Sequence, residues 1–239
     1  MSTANSSDPG TMGETKAKRS IEPMIESMID AAKAMYEDAD PAHDFSHILR
    51  VFRNAEIIGE KEGADMQVLL TAALLHDAFA EPKNSKSIDS GAPEGLQLSP
   101  GSDRKKAVDD LLRENAVSAR AREEVLYAVE VHRFSKGIVP KTLEAKILQD
   151  ADRLDAMGAV GIARVFMTGG TLGRALYNPD DPFCRTREPD DGRWNLDHFY
   201  RKLLKLEAGM HTETARRMAE KRADVLRRYL RDLEEEIGD

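Results

Sequence analysis

The chain has 239 residues, enough for one large domain or two small ones with a substantial core. Its net charge of −8 gives an overall field that does nothing for a polyanion, so extended nucleic acid is not an expected partner. A small anion would need a local cluster of Arg and Lys. The one cysteine, Cys184, excludes an intrachain disulfide and a multi-cysteine zinc site and suits a reducing cytosol.

Aromatic residues make up 5% of the chain and β-branched runs are scarce, which favours an all-α fold over a sheet. Residues 1–20 are polar throughout and lack the apolar core of a signal peptide; they read as a disordered tail before a single domain over 21–239. No apolar run reaches the roughly 20 residues needed to span a bilayer, so no membrane partner and a cytoplasmic location are expected.

Apolar residues at helical spacing predict a helix over 21–37. DADPAHD interrupts it, and a second helix over 44–63 carries Ile48, Val51, Phe52, Ala55 and Ile58 inward. The next segment is apolar on nearly every side from Val68 to Leu75, the mark of a buried helix. Residues 81–102 are rich in Gly, Pro, Ser and Lys and read as a long loop, a lid or a disordered stretch. Helices are predicted over 103–112 and 118–134. A single long helical stretch is predicted over 142–167, closed by Gly169–Gly170, then an irregular segment over 171–193 and helices over 195–208 and 213–237. The last one carries an apolar stripe of Met218, Val225, Leu226, Tyr229, Leu230 and Leu233 that is expected to pack on its own domain, leaving a monomer or a homodimer open.

Three features carry chemistry. His76–Asp77 closes the buried run VLLTAALL, where an ionised carboxylate must be paired, protonated or metal-bound; a helix end reaching solvent, or a hydrogen-bonded core histidine, would leave the same trace. In HDFSH, His43 and His47 share a helix face. His43 reads as support for the helix start, whereas His47 lies on the inner side with Val51 and Ile58. QDADRLDAMGA has three carboxylates within six residues followed by small residues, which suggests close helix approach deep in a bundle; an exposed acidic stripe paired with Arg153 and Lys146 is the alternative. Together they form a mixed imidazole and carboxylate set that suits Mn, Fe, Zn, Ni or Co.

The ordered motifs HDFSHILRV, AALLHDAF and DADRLDA resemble the HD-domain superfamily of metal-dependent phosphohydrolases, and HRFSKG, DADRLDAMGAVGIARVF, HFYRKLLKL and HTETARRMAEKR extend the likeness over roughly residues 20–237 to small bacterial members. That resemblance implies an HD-domain helical bundle with His47, His76, Asp77 and Asp152 as ligands of one divalent metal ion (Mn, Mg, Ni, Co, Fe or Zn, with Mn favoured). Only His132 lies between the doublet and the late aspartate, so one metal is expected rather than two.

Some members of that group are nucleotide pyrophosphohydrolases. The implied reaction is attack of metal-activated water on the α-phosphorus of a (deoxy)nucleoside triphosphate, releasing monophosphate and pyrophosphate. Asp77 would bind metal and steer the water, with Glu81 as a possible base. His132 would position phosphate or protonate the leaving group, although a lone histidine there also reads as structural. Arg50, one turn beyond His47, Arg153 beside Asp152, and Lys83 and Lys136 are the candidate contacts to a small phosphorylated substrate, a nucleotide above all; each also reads as an ordinary surface charge. A phosphomonoesterase or phosphodiesterase on the same site, a non-catalytic nucleotide sensor and a metal-free helical scaffold are the competing readings.

Overall fold

Eight consecutive buried residues, Val68–Leu75, place one helix deep in the core, packed against three others. The computed structural model describes residues 23–34, 45–78, 102–133 and 137–238. The predicted N-terminal tail, His43, Glu81, Lys83, Lys136 and nearly all of the long loop over 81–102 lie outside the described residues.

In chain order the helices are α1 (23–34), α2 (Phe45–Glu62), α3 (Met66–Leu75), α4 (Ser102–Glu114), α5 (Ala119–Val131), α6 (Leu143–Asp155), α7 (Gly158–Thr171), α8 (Asp197–Arg201) and α9 (Glu213–Ile237). Among the described residues the nearest thing to a sheet is one isolated bridge between Ala175 and Trp194. The fold is an all-α bundle. The central α3 packs on α2, α5 and α6, α2 packs along α6, and α9 lies against α6, α7 and α2.

The helix starts follow from local side chains. Asp65 accepts the backbone N–H groups of Gln67 and Val68; Ser118, Thr142 and Thr212 each accept the N–H three residues on. Each such cap contributes on the order of 1 kcal/mol. α9 buries Ala215, Ala219, Ala223, Leu226 and Leu230, and the half-buried Met218, Tyr229 and Leu233 of the predicted stripe pack against the same core. It ends at Gly238 in the left-handed conformation.

Two predicted helices differ from the structure. The stretch over 142–167 is broken at Ala156–Met157 into α6 and α7. Gly158 has φ +67°, and a Cβ on Gly161 would stand 2.2 Å from the Ala156 carbonyl oxygen. The small residues here therefore serve two ends: Gly161 allows a sharp elbow of the chain against itself, and Gly158 allows α9 to approach closely, where a Cβ would stand 3.3 Å from Arg222 Cβ. Likewise Gly169 lies inside α7 because Asn195 packs directly on it, and Gly173, at φ +67°, follows the end of the helix. The helix predicted over 195–208 is only the short α8 followed by two 3-10 turns, Leu203–Lys205 and Glu207–Gly209.

The irregular segment before α8 is held by polar anchors. Buried Asp197 accepts both terminal nitrogens of Arg187 and the Asp190 N–H. The Arg187 and Arg193 guanidinium groups each lie over the Trp194 ring, 4.6 and 4.5 Å from its centre.

Candidate metal centre

The inner face of α2 buries His47, Ile48, Val51, Asn54, Ala55 and Ile58, a spacing that carries His47 into the bundle with the core residues. α3 delivers His76 immediately past its last residue, still in helical conformation, so the end of the most apolar helix becomes the floor of a polar site. His76 is fully buried, as is nearly all of His47.

His47 Nε2 and His76 Nε2 are 3.3 Å apart. Asp77 Oδ2 is 3.6 Å from each of them, and Asp152 Oδ1 is 3.5 Å from His47 Nε2. His47, His76 and Asp77 form a group whose ligand atoms all lie within 4.8 Å of one another. Asp152, from α6, stands at the edge of this group.

The hydrogen bonds on the far sides of the rings decide what these atoms can do. His76 Nδ1 is 2.8 Å from the Ala73 carbonyl oxygen, and His47 Nδ1 is 2.7 Å from Asp155 Oδ2. A carbonyl or carboxylate oxygen only accepts, so both Nδ1 atoms carry a proton, and the two rings turn their Nε2 atoms toward each other. Lone pairs so close require a positive charge between them, either a proton on His47 or a metal. Two imidazole nitrogens on one metal stand roughly 3.0–3.4 Å apart at bond lengths of about 2.1 Å, so the residues fit a metal ion. The mixed nitrogen and oxygen donors suit a first-row divalent cation.

Electrostatics agree with that arrangement. Burial opposes a proton on His47, but hydrogen bonds to Asp155 and Asp77 outweigh it and push its pKa up to about 9. Burial, joined by the neighbouring His132 and His47 and opposed by Asp77 and Asp152, brings His76 down to about 4, so it stays neutral. Burial would raise Asp77, yet its hydrogen bonds to His132 and His47 hold its carboxyl well below the usual range.

His132 joins the cluster. It follows α5, its Nδ1 donates to the Val129 carbonyl oxygen at 2.6 Å, and its Nε2 is 3.5 Å from Asp77 Oδ1. Arg50 reaches the site through Asp155, donating from Nε at 2.6 Å and from its terminal nitrogen at 3.1 Å. Arg153 does not converge with them. It is buried, donates to the Gly209 carbonyl and to Gln149 Oε1, and ties α6 to the turn before α9.

The three carboxylates of the acidic run take three different tasks. Asp150 accepts the His211 and Thr212 N–H groups and the Thr212 hydroxyl at the start of α9. Asp152 faces the metal cluster, and Asp155 backs His47. Sequence reasoning did not single out Asp155, Arg164 or Arg133. Arg164, from α7, donates to Asp155 Oδ2 at 2.7 Å, and Arg133, 44% exposed, lies 3.5 Å from Asp77 Oδ1. The one signal available was that Asp152 and Asp155, three apart, share a helix face.

Comparison with known proteins bears on this site. The HD domain family model matches residues 44–157, the span that holds all four metal-ligand candidates. YpgQ of Bacillus subtilis is 35% identical over 230 residues, covering 95% of this chain and 96% of that protein. The crystal structure of B. subtilis YpgQ in complex with ADP superposes with a TM-score of 0.66 at 33% identity, covering 90% of this chain and 95% of that one. That of an HD-superfamily hydrolase from Bacillus thuringiensis superposes with a TM-score of 0.68 at 32% identity, covering 93% and 98%.

Proposed function

The chain belongs to the HD-domain family of metal-dependent phosphohydrolases, and on that premise we propose that it hydrolyses (deoxy)nucleoside triphosphates to the monophosphate and pyrophosphate. The observation that carries this reading is the convergence of the His47 and His76 Nε2 lone pairs on the Asp77 carboxylate. The ADP held by the YpgQ crystal structure supports a nucleotide as substrate.

His47, His76, Asp77 and Asp152 would hold the metal, with Mn²⁺ favoured. When bound, it would supply a Lewis acid for a phosphoryl oxygen and lower the pKa of the attacking water. Asp77, kept ionised by its histidine neighbours, would orient that water through its carboxylate. His132, 3.5 Å from the same carboxylate, would position phosphate or pass a proton to the leaving group. Arg50 would contact the phosphates, with Lys83 and Lys136 as further contacts and Glu81 as a supporting base. Arg153 would act from behind, through its hold on the turn before α9.

Product analysis tests this reading. Mn²⁺-loaded protein is incubated with ribo- and deoxyribonucleoside triphosphates, and the products are resolved by ion-exchange chromatography. Monophosphate and pyrophosphate are expected, and Asp77→Ala is expected to abolish both. Release of inorganic phosphate with a diphosphate left behind, or no turnover of any triphosphate, would sink it.

A further inference from the structure

We infer that Asp155 is a positioning residue that joins the metal site to a pair of arginines able to receive phosphate. The anion half of this inference rests on the phosphohydrolase reading; the metal half does not. Asp155 ends α6 and is 1% exposed, so its carboxylate cannot be solvated and must be satisfied by the protein. It meets groups from two other helices. His47 Nδ1, from α2, donates to Oδ2 at 2.7 Å. Arg50, also from α2, donates from Nε to Oδ1 at 2.6 Å and from a terminal nitrogen to Oδ2 at 3.1 Å. Arg164, from α7, donates to Oδ2 at 2.7 Å.

Two consequences follow. The contact to His47 places the ring proton on Nδ1 and leaves Nε2 to face the metal, the arrangement by which a carboxylate behind a histidine orients it and raises its basicity. The contacts to the arginines fix two guanidinium groups beside the same ring. Arg164 comes within 3.4 Å of His47 Nδ1.

The charge count points to an anion. A divalent metal would balance Asp77 and Asp152, which leaves the guanidinium groups of Arg50 and Arg164 against the single carboxylate of Asp155. Both side chains are partly exposed, 34% for Arg50 and 17% for Arg164, so phosphate oxygens can approach them and form charge-assisted hydrogen bonds.

Three measurements test the inference. Calorimetric titration of Asp155→Asn with Mn²⁺ is expected to show affinity lower by about ten- to hundredfold; affinity within about threefold of the parent overturns it. Because that variant leaves two arginines without their carboxylate and can fail to fold, imidazole ¹⁵N spectra of the Zn²⁺-loaded parent protein provide a test that needs no substitution. They are expected to show His47 protonated at Nδ1 and metal-bound at Nε2, and the opposite tautomer overturns the inference. Finally, Arg164→Gln is expected to weaken binding of inorganic phosphate by about tenfold while Mn²⁺ affinity stays within about threefold. Unchanged phosphate binding removes the anion half. If the parent hydrolyses no nucleotide while the Mn²⁺ and ¹⁵N results hold, the functional reading fails and the positioning role of Asp155 stands.

Discussion

His47, His76 and His132 stand in a row with successive ring centres 5.2 Å apart, and each has its Nδ1 taken by an oxygen. This pattern fixes one proton of each ring on Nδ1 and turns all three Nε2 atoms toward the Asp77 carboxylate. The importance of His76–Asp77 was legible in the sequence because an ionisable doublet at the end of an all-apolar run needs a partner. His47 was legible because it shares a face with Val51 and Ile58. Asp155 was not, because its meaning depends on a ring 108 residues away in the chain. Residue-scale environment also sets the one cysteine. Burial first, and then the Asp197 carboxylate, push the Cys184 thiol from 9.0 up to about 11. A raised thiol pKa keeps the neutral form at neutral pH, so alkylation by iodoacetamide at pH 8 is expected to be about a hundredfold slower than for an unperturbed cysteine and to rise until about pH 11. A rate that levels off near pH 9 would contradict this environment.

At the scale of elements, the bounds of α2 and α9 were readable, since each depends on residues within about a turn. The start of α9 at Glu213 and its end at Ile237 follow from Thr212 and Gly238. The elbow between α6 and α7 was not readable. Helical periodicity continues through LDAMGAVGIARV, and what breaks it is a bend that turns α7 so that Arg164 can reach Asp155. Gly161 is the residue that bend requires, because any Cβ there meets a backbone carbonyl that cannot rotate away. Gly161→Ala is therefore expected to destabilise the fold by about 1–3 kcal/mol, measured by urea denaturation. It should also weaken Mn²⁺ binding by shifting Asp155 against His47. Stability and metal affinity equal to the parent would show that the elbow does not need glycine.

Across the whole molecule, the candidate metal ligands come from α2, from the end of α3 and from α6, so a bound ion cross-links three helices of the core. Binding only to the folded state stabilises it by about 2.7 kcal/mol at a hundredfold excess over Kd. For a domain of this size each kcal/mol shifts Tm by about 2–4 °C. Adding EDTA to the Mn²⁺-loaded protein is thus expected to lower Tm by about 5–10 °C, and Asp77→Ala should lose that response. A Tm indifferent to chelator in the parent would argue against metal at this site. No helix among the described residues is long and apolar enough to cross a membrane.

The sequence by itself determined the all-α class and most helix boundaries, and its motifs, through their resemblance to the HD-domain family, pointed to the His and Asp cluster. Those depend on periodicity, on caps within a turn and on apolar surroundings that adjacent residues reveal. Tertiary structure alone decided which carboxylate of QDADRLD faces which helix, that Arg153 turns toward Gly209 while Arg164 turns toward Asp155, and which nitrogen of each histidine remains for a metal. These are settled by hydrogen bonds between residues far apart in the chain, and a linear pattern carries no record of where a side chain finds its partner.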